Sequence, residues 1–434
     1  MSGGTVGLTR RAVLDRIARC VGAAMMLGKG AATVAQIAAE TRSTVPSHSW
    51  DSIVVGAGVF GAWTAWNLRR LGQRVLLLDA WGPAHARASS GGESRVTRTA
   101  YGADEVYTRM AWDSLPEWRW LSERSGLPVF HPTGVLFFFP RLEPYVTQTI
   151  EVHKRLKLPT QALQRAELAK RFPQVSWDDI EVGLYEPELG ALMARRAVQT
   201  LVAEFVKAGG TYRVAAVAPP AAPKAGDARL GGIRTSAGDS LSADRYVFAC
   251  GPWLPKVFPD LLGARIFPTR QEVFFFAPPA GDERFAPGHL PTWADFNNGD
   301  IYYGMPDLEA RGFKIAHDKH GPAIDPDTGD RKASDEGLAD VRSFMQRRFP
   351  ALAARPLVEA RVCQYENSSN GDLLIDRHPS WQDVWLVGAG SGHGFKHAPG
   401  VGRYAAQLVT QTLKSVEPRF SLASKATRQQ RLVH

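Results

Sequence analysis

One stretch constrains the fold of this chain more than any other: Ser52 to Asp79, SIVVGAGVFGAWTAWNLRRLGQRVLLLD. An apolar run predicts a strand that leads into Gly56-x-Gly58-x-x-Gly61. The placement of Ala62, Ala65, Leu68 and Leu71 then predicts a helix with one inner side. Val75 to Leu78 predicts a second strand ending in Asp79, 23 residues after Gly56. The glycines permit a tight turn and a close backbone approach, and the helix N-terminus offers amides and partial positive charge to a pyrophosphate. Asp79 can accept hydrogen bonds from ribose hydroxyls. The complete strand–turn–helix–strand unit therefore predicts a dinucleotide site; the plainer reading is a glycine-rich turn that only packs helix on sheet.

A second glycine run, VWLVGAGSGHGFKHAPGVG (384–402), also follows an apolar strand pattern. It is not a second fingerprint, because His393 stands where the third glycine should fall and 408–414 offers no acid. One dinucleotide is expected, and no nicotinamide partner domain. Between these ends, Gly190 to Val206 predicts a helix, and Tyr246 to Cys250 a strand with Cys250 as a buried small hydrophobe. His131–Pro140, Arg270–Ala277 and Asp300–Gly304 carry the β-branched and aromatic bias of an antiparallel sheet. The Pro/Ala/Gly stretch 217–228 reads as a surface loop. The expected fold class is α/β (α+β), with two domains woven from several segments rather than strung as beads.

Composition limits the partners. The net charge is +9, but residues 1–48 contribute +4 and residues 414–434 another +4, leaving about +1 for the body. A nucleic-acid-binding face is not supported. The leader GLTRRAVLDRIARCVGAAMMLGKGAATVAQIAAE places Arg10-Arg11 before an Ala/Gly-rich apolar run, which resembles a twin-arginine export signal. Such a protein would be exported by the twin-arginine machinery, already folded, to the periplasm. A chance arginine pair in an amphipathic leader, with Lys29 inside the apolar run, would leave it cytoplasmic. No membrane span is expected. The three cysteines, Cys20, Cys250 and Cys363, exclude a disulfide framework and a cysteine-rich zinc site. His393 and His397 sit among glycines and a proline rather than on a regular helix, so positioning or packing is expected of them, not a metal.

With these pieces placed, the chain resembles the sarcosine oxidase / N-methyltryptophan oxidase family of flavoproteins, within the D-amino-acid-oxidase-like fold. The resemblance covers residues 50–415. It rests on the opening unit, on SSGGESRVTRTAYG (89–102), on IYYGMPDLEARGFK (301–314), on RVCQY followed by LLIDRHP, and on GSGHGFK. It implies a Rossmann-like FAD-binding domain (49–130, 190–262, 370–415) interleaved with an antiparallel-sheet substrate domain (131–189, 263–369). Residues 1–48 would be the leader and 416–434 a basic tail.

The resemblance also assigns residues. FAD would be held by Gly56, Gly58, Gly61, Asp79, Ser90, Arg95, Cys363, Gly392, Gly394 and Lys396. Arg98 and Lys396, cations from opposite ends of the chain, would clamp a substrate carboxylate and so orient the reacting carbon. Arg95 would lie against the flavin and favour its reduced anionic form. Lys314 would promote the reaction with molecular oxygen, and Tyr303 would border the substrate. Cys363 would bond to the flavin 8α-methyl group, with Arg361 an aid to thiolate formation. From the residues alone Cys363 has no disulfide partner and no histidine to make it a nucleophile, which leaves buried packing as the other reading.

Two positions depart from the pattern. Glu366 stands where the family commonly has Thr, and is expected to meet a cationic or hydrogen-bond-donating group on the substrate. Asp318 stands where the family has His, which unsettles any simple transfer of substrate identity. The expected function is oxidation of the C–N bond of a secondary, N-methyl or cyclic amino acid, with oxygen reduced to peroxide. Rivals are a dehydrogenase of the same fold that passes electrons to a quinone or protein acceptor, and a flavin-binding accessory subunit without turnover. No general base is evident; an amine bound near cations can lose its proton to solvent.

Overall fold

The computed structural model describes residues 50–428 apart from Ala225, Asp227 and Asn298. The chain divides into Met1–His48 and Ser49–His434. The leader with its arginine pair, and Cys20, lie outside the described residues.

The glycine-rich unit forms as its pattern dictates. Trp50–Val55 and Val75–Asp79 are adjacent parallel strands joined through the helix Val59–Arg70. They sit inside a six-stranded sheet whose order is Leu374–Arg377, Val384–Gly388, Ala243–Phe248, Trp50–Val55, Val75–Asp79, Thr211–Val214. All neighbours are parallel except the first pair. Both faces are covered, so the strands read as continuous apolar runs. Alternation sends Val54 and Leu77 into one core, with Leu68, Leu201 and Val401, and sends Ile53 and Leu76 into another, with Phe248 and Leu254. Helices Val59–Arg70 and Ala398–Val409 touch so closely that a Cβ on Gly402 would stand 2.5 Å from the Trp63 carbonyl carbon.

The second sheet has eight strands in the order Leu357–Ser368, Ile266–Phe276, Phe313–Asp318, Asp300–Met305, Thr292–Asn297, Val135–Phe139, Val182–Glu186, Gln161–Gln164. It is antiparallel save for one parallel pair, Thr292–Asn297 with Val135–Phe139. The segment 131–140 thus pairs antiparallel with Val182–Glu186, as expected, and parallel on its other side. On its outer face, Trp293 and Asp295 point toward the helix Asp335–Arg348, where Arg348 Nε donates to Asp295 at 2.8 Å with both side chains fully buried. Ala294 and Phe296 point the other way, into the cleft between the sheets.

The long helix expected from Gly190 is corrected at its start. Gly190–Met193 is a strand, paired with Ser94–Thr97 and Phe130–His131, and the helix runs Ala194–Lys207. Likewise the strand expected to reach Cys250 ends at Phe248. Cys250 is only partly buried, its thiol facing the Val55 carbonyl at 3.6 Å. The segment expected as a basic tail is docked as far as Lys425. Arg419 pairs with Asp104 at 2.7 Å and Asp372 at 2.6 Å, and Phe420 and Lys425 are buried. No helix of the described residues is long and apolar enough to cross a membrane.

Candidate active site

Two adjoining cavities lie between the sheets. The larger, about 340 Å³, is bordered by the glycine-rich turn, Asp79, Ser90, Gly392 and Gly394. Gly56 has φ +104°, and a Cβ there would stand 2.3 Å from the Ala249 carbonyl oxygen, so no other residue fits. A Cβ on Gly61 would stand still closer to the Gly56 carbonyl oxygen, at 1.8 Å. Gly58 differs: its Cβ position has only Ser90 Oγ near it, at 3.7 Å, and otherwise opens to the cavity. Room is thus left where a backbone-hugging diphosphate would lie. Asp79 first organises the turn, its carboxylate accepting from the amides of Ala57 at 2.8 Å and of Trp81 and Gly82 at 2.9 Å. Ser90 Oγ accepts from the first helical amide, Val59, at 3.1 Å.

The smaller cavity, about 90 Å³, gathers side chains from across the chain. Arg98 and Lys396, both buried, border it and both rest on Tyr101. Arg98 Cζ lies 4.0 Å from the Tyr101 ring centroid, and Lys396 Nζ lies 5.4 Å from it. Lys396 donates to the Tyr101 hydroxyl at 2.9 Å and to the His393 carbonyl at 2.6 Å. The same hydroxyl meets His393 Nδ1 at 3.1 Å and His397 Nε2 at 2.7 Å. Burial and the Lys396 charge push His397 well below the ordinary histidine range, so it is neutral. The two histidines thus support Tyr101. Phe137, Val273, Ala294, Phe296 and Ile301 make the apolar wall.

Arg95, Tyr365 and Gly392 border both cavities. The Arg95 guanidinium donates to the carbonyls of Ser94 at 2.8 Å and Ser89 at 2.5 Å. It stands beside the half-buried Cys363 thiol: the Cβ position of Gly92 is 2.7 Å from Arg95 Nη1 and 3.1 Å from Cys363 Sγ. Arg361, expected to assist that thiol, instead pairs with Glu93 at 2.5 Å and with Glu359. Arg95 is a cation beside it, and Lys314 and Arg331 also feel its charge.

Tyr303 borders the smaller cavity, and burial raises its hydroxyl pKa above the ordinary value. Lys314 lies behind it, Nζ 5.8 Å from the Tyr303 ring centroid. The lysine is almost fully buried and donates to the Ser94 carbonyl at 2.8 Å and to its hydroxyl at 3.3 Å. Burial, and then the Arg95 charge, pull its pKa down to about 7. It borders a separate cavity of about 10 Å³ rather than the one holding Arg98 and Lys396.

Glu366 is not where the sequence reading placed it. On the strand Leu357–Ser368, Cys363 and Tyr365 face the smaller cavity, and the alternation of side chains turns Glu366 to the other face. There it borders the larger cavity and accepts from the amides of Ala389 and Gly390. Burial pushes its carboxyl up to about 8, and Oε1 has no partner. The carboxylate that does border the smaller cavity is Asp318, whose Oδ1 accepts from the Tyr365 hydroxyl at 2.9 Å. Tyr101, Tyr365 and Gln271 were not singled out from the sequence. For the tyrosines the signal was present in TRTAYG and RVCQY; for Gln271 there was none.

Comparison with known proteins bears on family and fold. The sequence model described as FAD dependent oxidoreductase matches residues 51–408. The monomeric sarcosine oxidase of Bacillus sp. (strain B-0618) is 32% identical over 372 residues, covering 83% of this chain and 92% of the relative. The N-methyl-L-tryptophan oxidase of Salmonella heidelberg (strain SL476) is 28% identical, covering 83% and 94%. The crystal structure of L-proline dehydrogenase from P. horikoshii shares the fold, with a TM-score of 0.75 at 20% identity, covering 87% and 98%.

Proposed function

This chain belongs to the FAD dependent oxidoreductase family, and on that premise we propose that it is an oxidase of secondary amino acids, N-methylated or cyclic. One observation carries the reading. Arg98 and Lys396, far apart in the chain, converge on a cavity of about 90 Å³ that Tyr303 and Cys363 also border. FAD suits the larger cavity, where Gly58 leaves backbone exposed, the Val59–Arg70 helix begins, and Asp79, Ser90, Gly392 and Gly394 stand at the wall. When bound, FAD supplies the acceptor for a hydride from the carbon next to nitrogen and the route of the electrons to oxygen.

The chain's own residues do the rest. Arg98 and Lys396 hold the substrate carboxylate, and their spacing against Tyr101 fixes its direction. The apolar wall from Phe137 to Ile301 excludes water, which strengthens that contact. The two cations favour loss of the proton from the substrate amine, and Asp318, the carboxylate of the same lining, favours the ammonium form in which the substrate enters. Arg95, on the border of both cavities, offers positive charge where electrons accumulate. Lys314, buried beside Ser94, supports an oxidase over a dehydrogenase, since a cation there favours charge developing on oxygen.

Cys363 is the proposed point of covalent attachment. Its half-buried thiol, beside the Arg95 guanidinium, would hold the flavin through a thioether, with the thiolate as the form that bonds. The leader is proposed to direct twin-arginine export. The test is anaerobic bleaching of the yellow protein by sarcosine, N-methyltryptophan, proline and pipecolate, followed by peroxide counted per substrate in air. Bleaching with one peroxide per turnover is expected. No bleaching would sink the enzyme reading, and bleaching without peroxide would move the electrons to a quinone or protein acceptor.

A further inference from the structure

Asp318 closes the strand Phe313–Asp318, opposite Ile301 of the neighbouring strand. It shares a face with Lys314 two pleats away, but unlike Lys314 it reaches the cavity that Arg98 and Lys396 border. Among the described residues lining that cavity it is the one carboxylate. The Tyr365 hydroxyl donates to Oδ1 at 2.9 Å and so holds the group in place.

The cavity is small, about 90 Å³, and most of its wall is apolar. An amino acid that enters fills it, and both its charges must find partners there. The carboxylate goes to the two cations. A buried ammonium without a partner is costly, and the lining offers one oppositely charged group to receive it. We propose that Asp318 is a specificity-determining residue that receives the substrate's ammonium group, so that the cavity takes zwitterions in preference to plain carboxylates. This rests on the carboxylate clamp proposed above. Tyr365 acts through Asp318 as a positioning residue.

The test compares two carboxylates of similar length, N,N-dimethylglycine, cationic at its nitrogen, and (methylthio)acetate, uncharged at its sulfur. Each is titrated into the flavin-loaded enzyme at pH 7, and binding is read from the flavin absorbance. The wild type is expected to favour the ammonium compound by about tenfold. Asp318→Asn is expected to remove that preference while (methylthio)acetate binding holds within about threefold. Asp318→His should do the same if the Asn variant fails to load, and Asp318→Glu should retain the preference. An unchanged preference in Asp318→Asn or Asp318→His overturns the proposal. Arg98→Gln separates the two readings, since it should weaken both compounds alike. If it weakens neither, the clamp fails whatever Asp318 does.

Discussion

Lys396 and Arg98 are spaced by one ring: the lysine ammonium donates to the Tyr101 hydroxyl at 2.9 Å while the guanidinium carbon lies 4.0 Å over the same ring. Tyr101→Phe keeps the stacking surface and removes the hydroxyl. A buried cation that loses a hydrogen-bond acceptor sits less firmly, at a cost of about 1–3 kcal/mol. KM for the amino acid is expected to rise about tenfold, with kcat within about threefold. Steady-state kinetics that show unchanged KM would mean the hydroxyl does not hold Lys396.

Lys314 gives a pH dependence with a definite sign. Its pKa is drawn down to about 7, first by burial, so the ammonium is present below that pH and lost above it. Stopped-flow reoxidation by oxygen should therefore slow as pH rises through about 7. Lys314→Met should be slower by about 10²–10³-fold, as for loss of one transition-state charge donor, and flat over the same range. Anaerobic reduction by substrate should change little.

Cys363→Ala is expected to load flavin and release it on acid precipitation, leaving a colourless pellet, whereas the wild-type pellet stays yellow. The thiol is only half-buried and fills no large volume, so the fold should lose no more than about 1 kcal/mol. A wild-type pellet without colour would refute the attachment directly.

Glu366 tests linkage. Its carboxyl is raised by burial to about 8 from the ordinary 4.5. Between those values the folded protein holds a proton that the unfolded chain has released, so this group makes stability fall as pH rises across that window. Glu366→Gln matches the neutral form and should be the more stable protein at pH 8, by on the order of a few kcal/mol, with the advantage vanishing near pH 4. Urea midpoints at the two pH values check it. Equal pH dependence in both proteins would show that Glu366 titrates normally.

What was legible in the sequence was local or carried by motif. Gly56, Gly58, Gly61 and Asp79 belong to one strand–turn–helix–strand unit, so their spacing alone predicts their geometry. Arg98, Lys396, Tyr303 and Cys363 were named by motif, and the structure brings all four to one cavity. The misplacement of Glu366 has a simple cause. Cys363 and Glu366 are three residues apart, so strand alternation alone puts them on opposite faces; what RVCQYEN does not show is that the strand runs on unbroken to Ser368. The strand Gly190–Met193 was hidden for a related reason, its partners being residues 94–97 and 130–131. Arg361 looked available to the thiol because Glu93, its partner, is remote in sequence.

The close seat of Gly402 against Trp63 has a consequence for the order in which this molecule is made. The dinucleotide turn is complete once residue 79 has emerged from the ribosome, but the helix that locks it begins at Ala398. The two longest strands of the second sheet, Leu357–Ser368 at its edge and Ile266–Phe276 beside it, likewise pair only when the far half of the chain is made. Contacts of such long span form late and slowly. Neither cavity exists on a nascent chain that stops short of residue 360, so the cofactor meets a nearly finished protein and a premature stop leaves no partial enzyme.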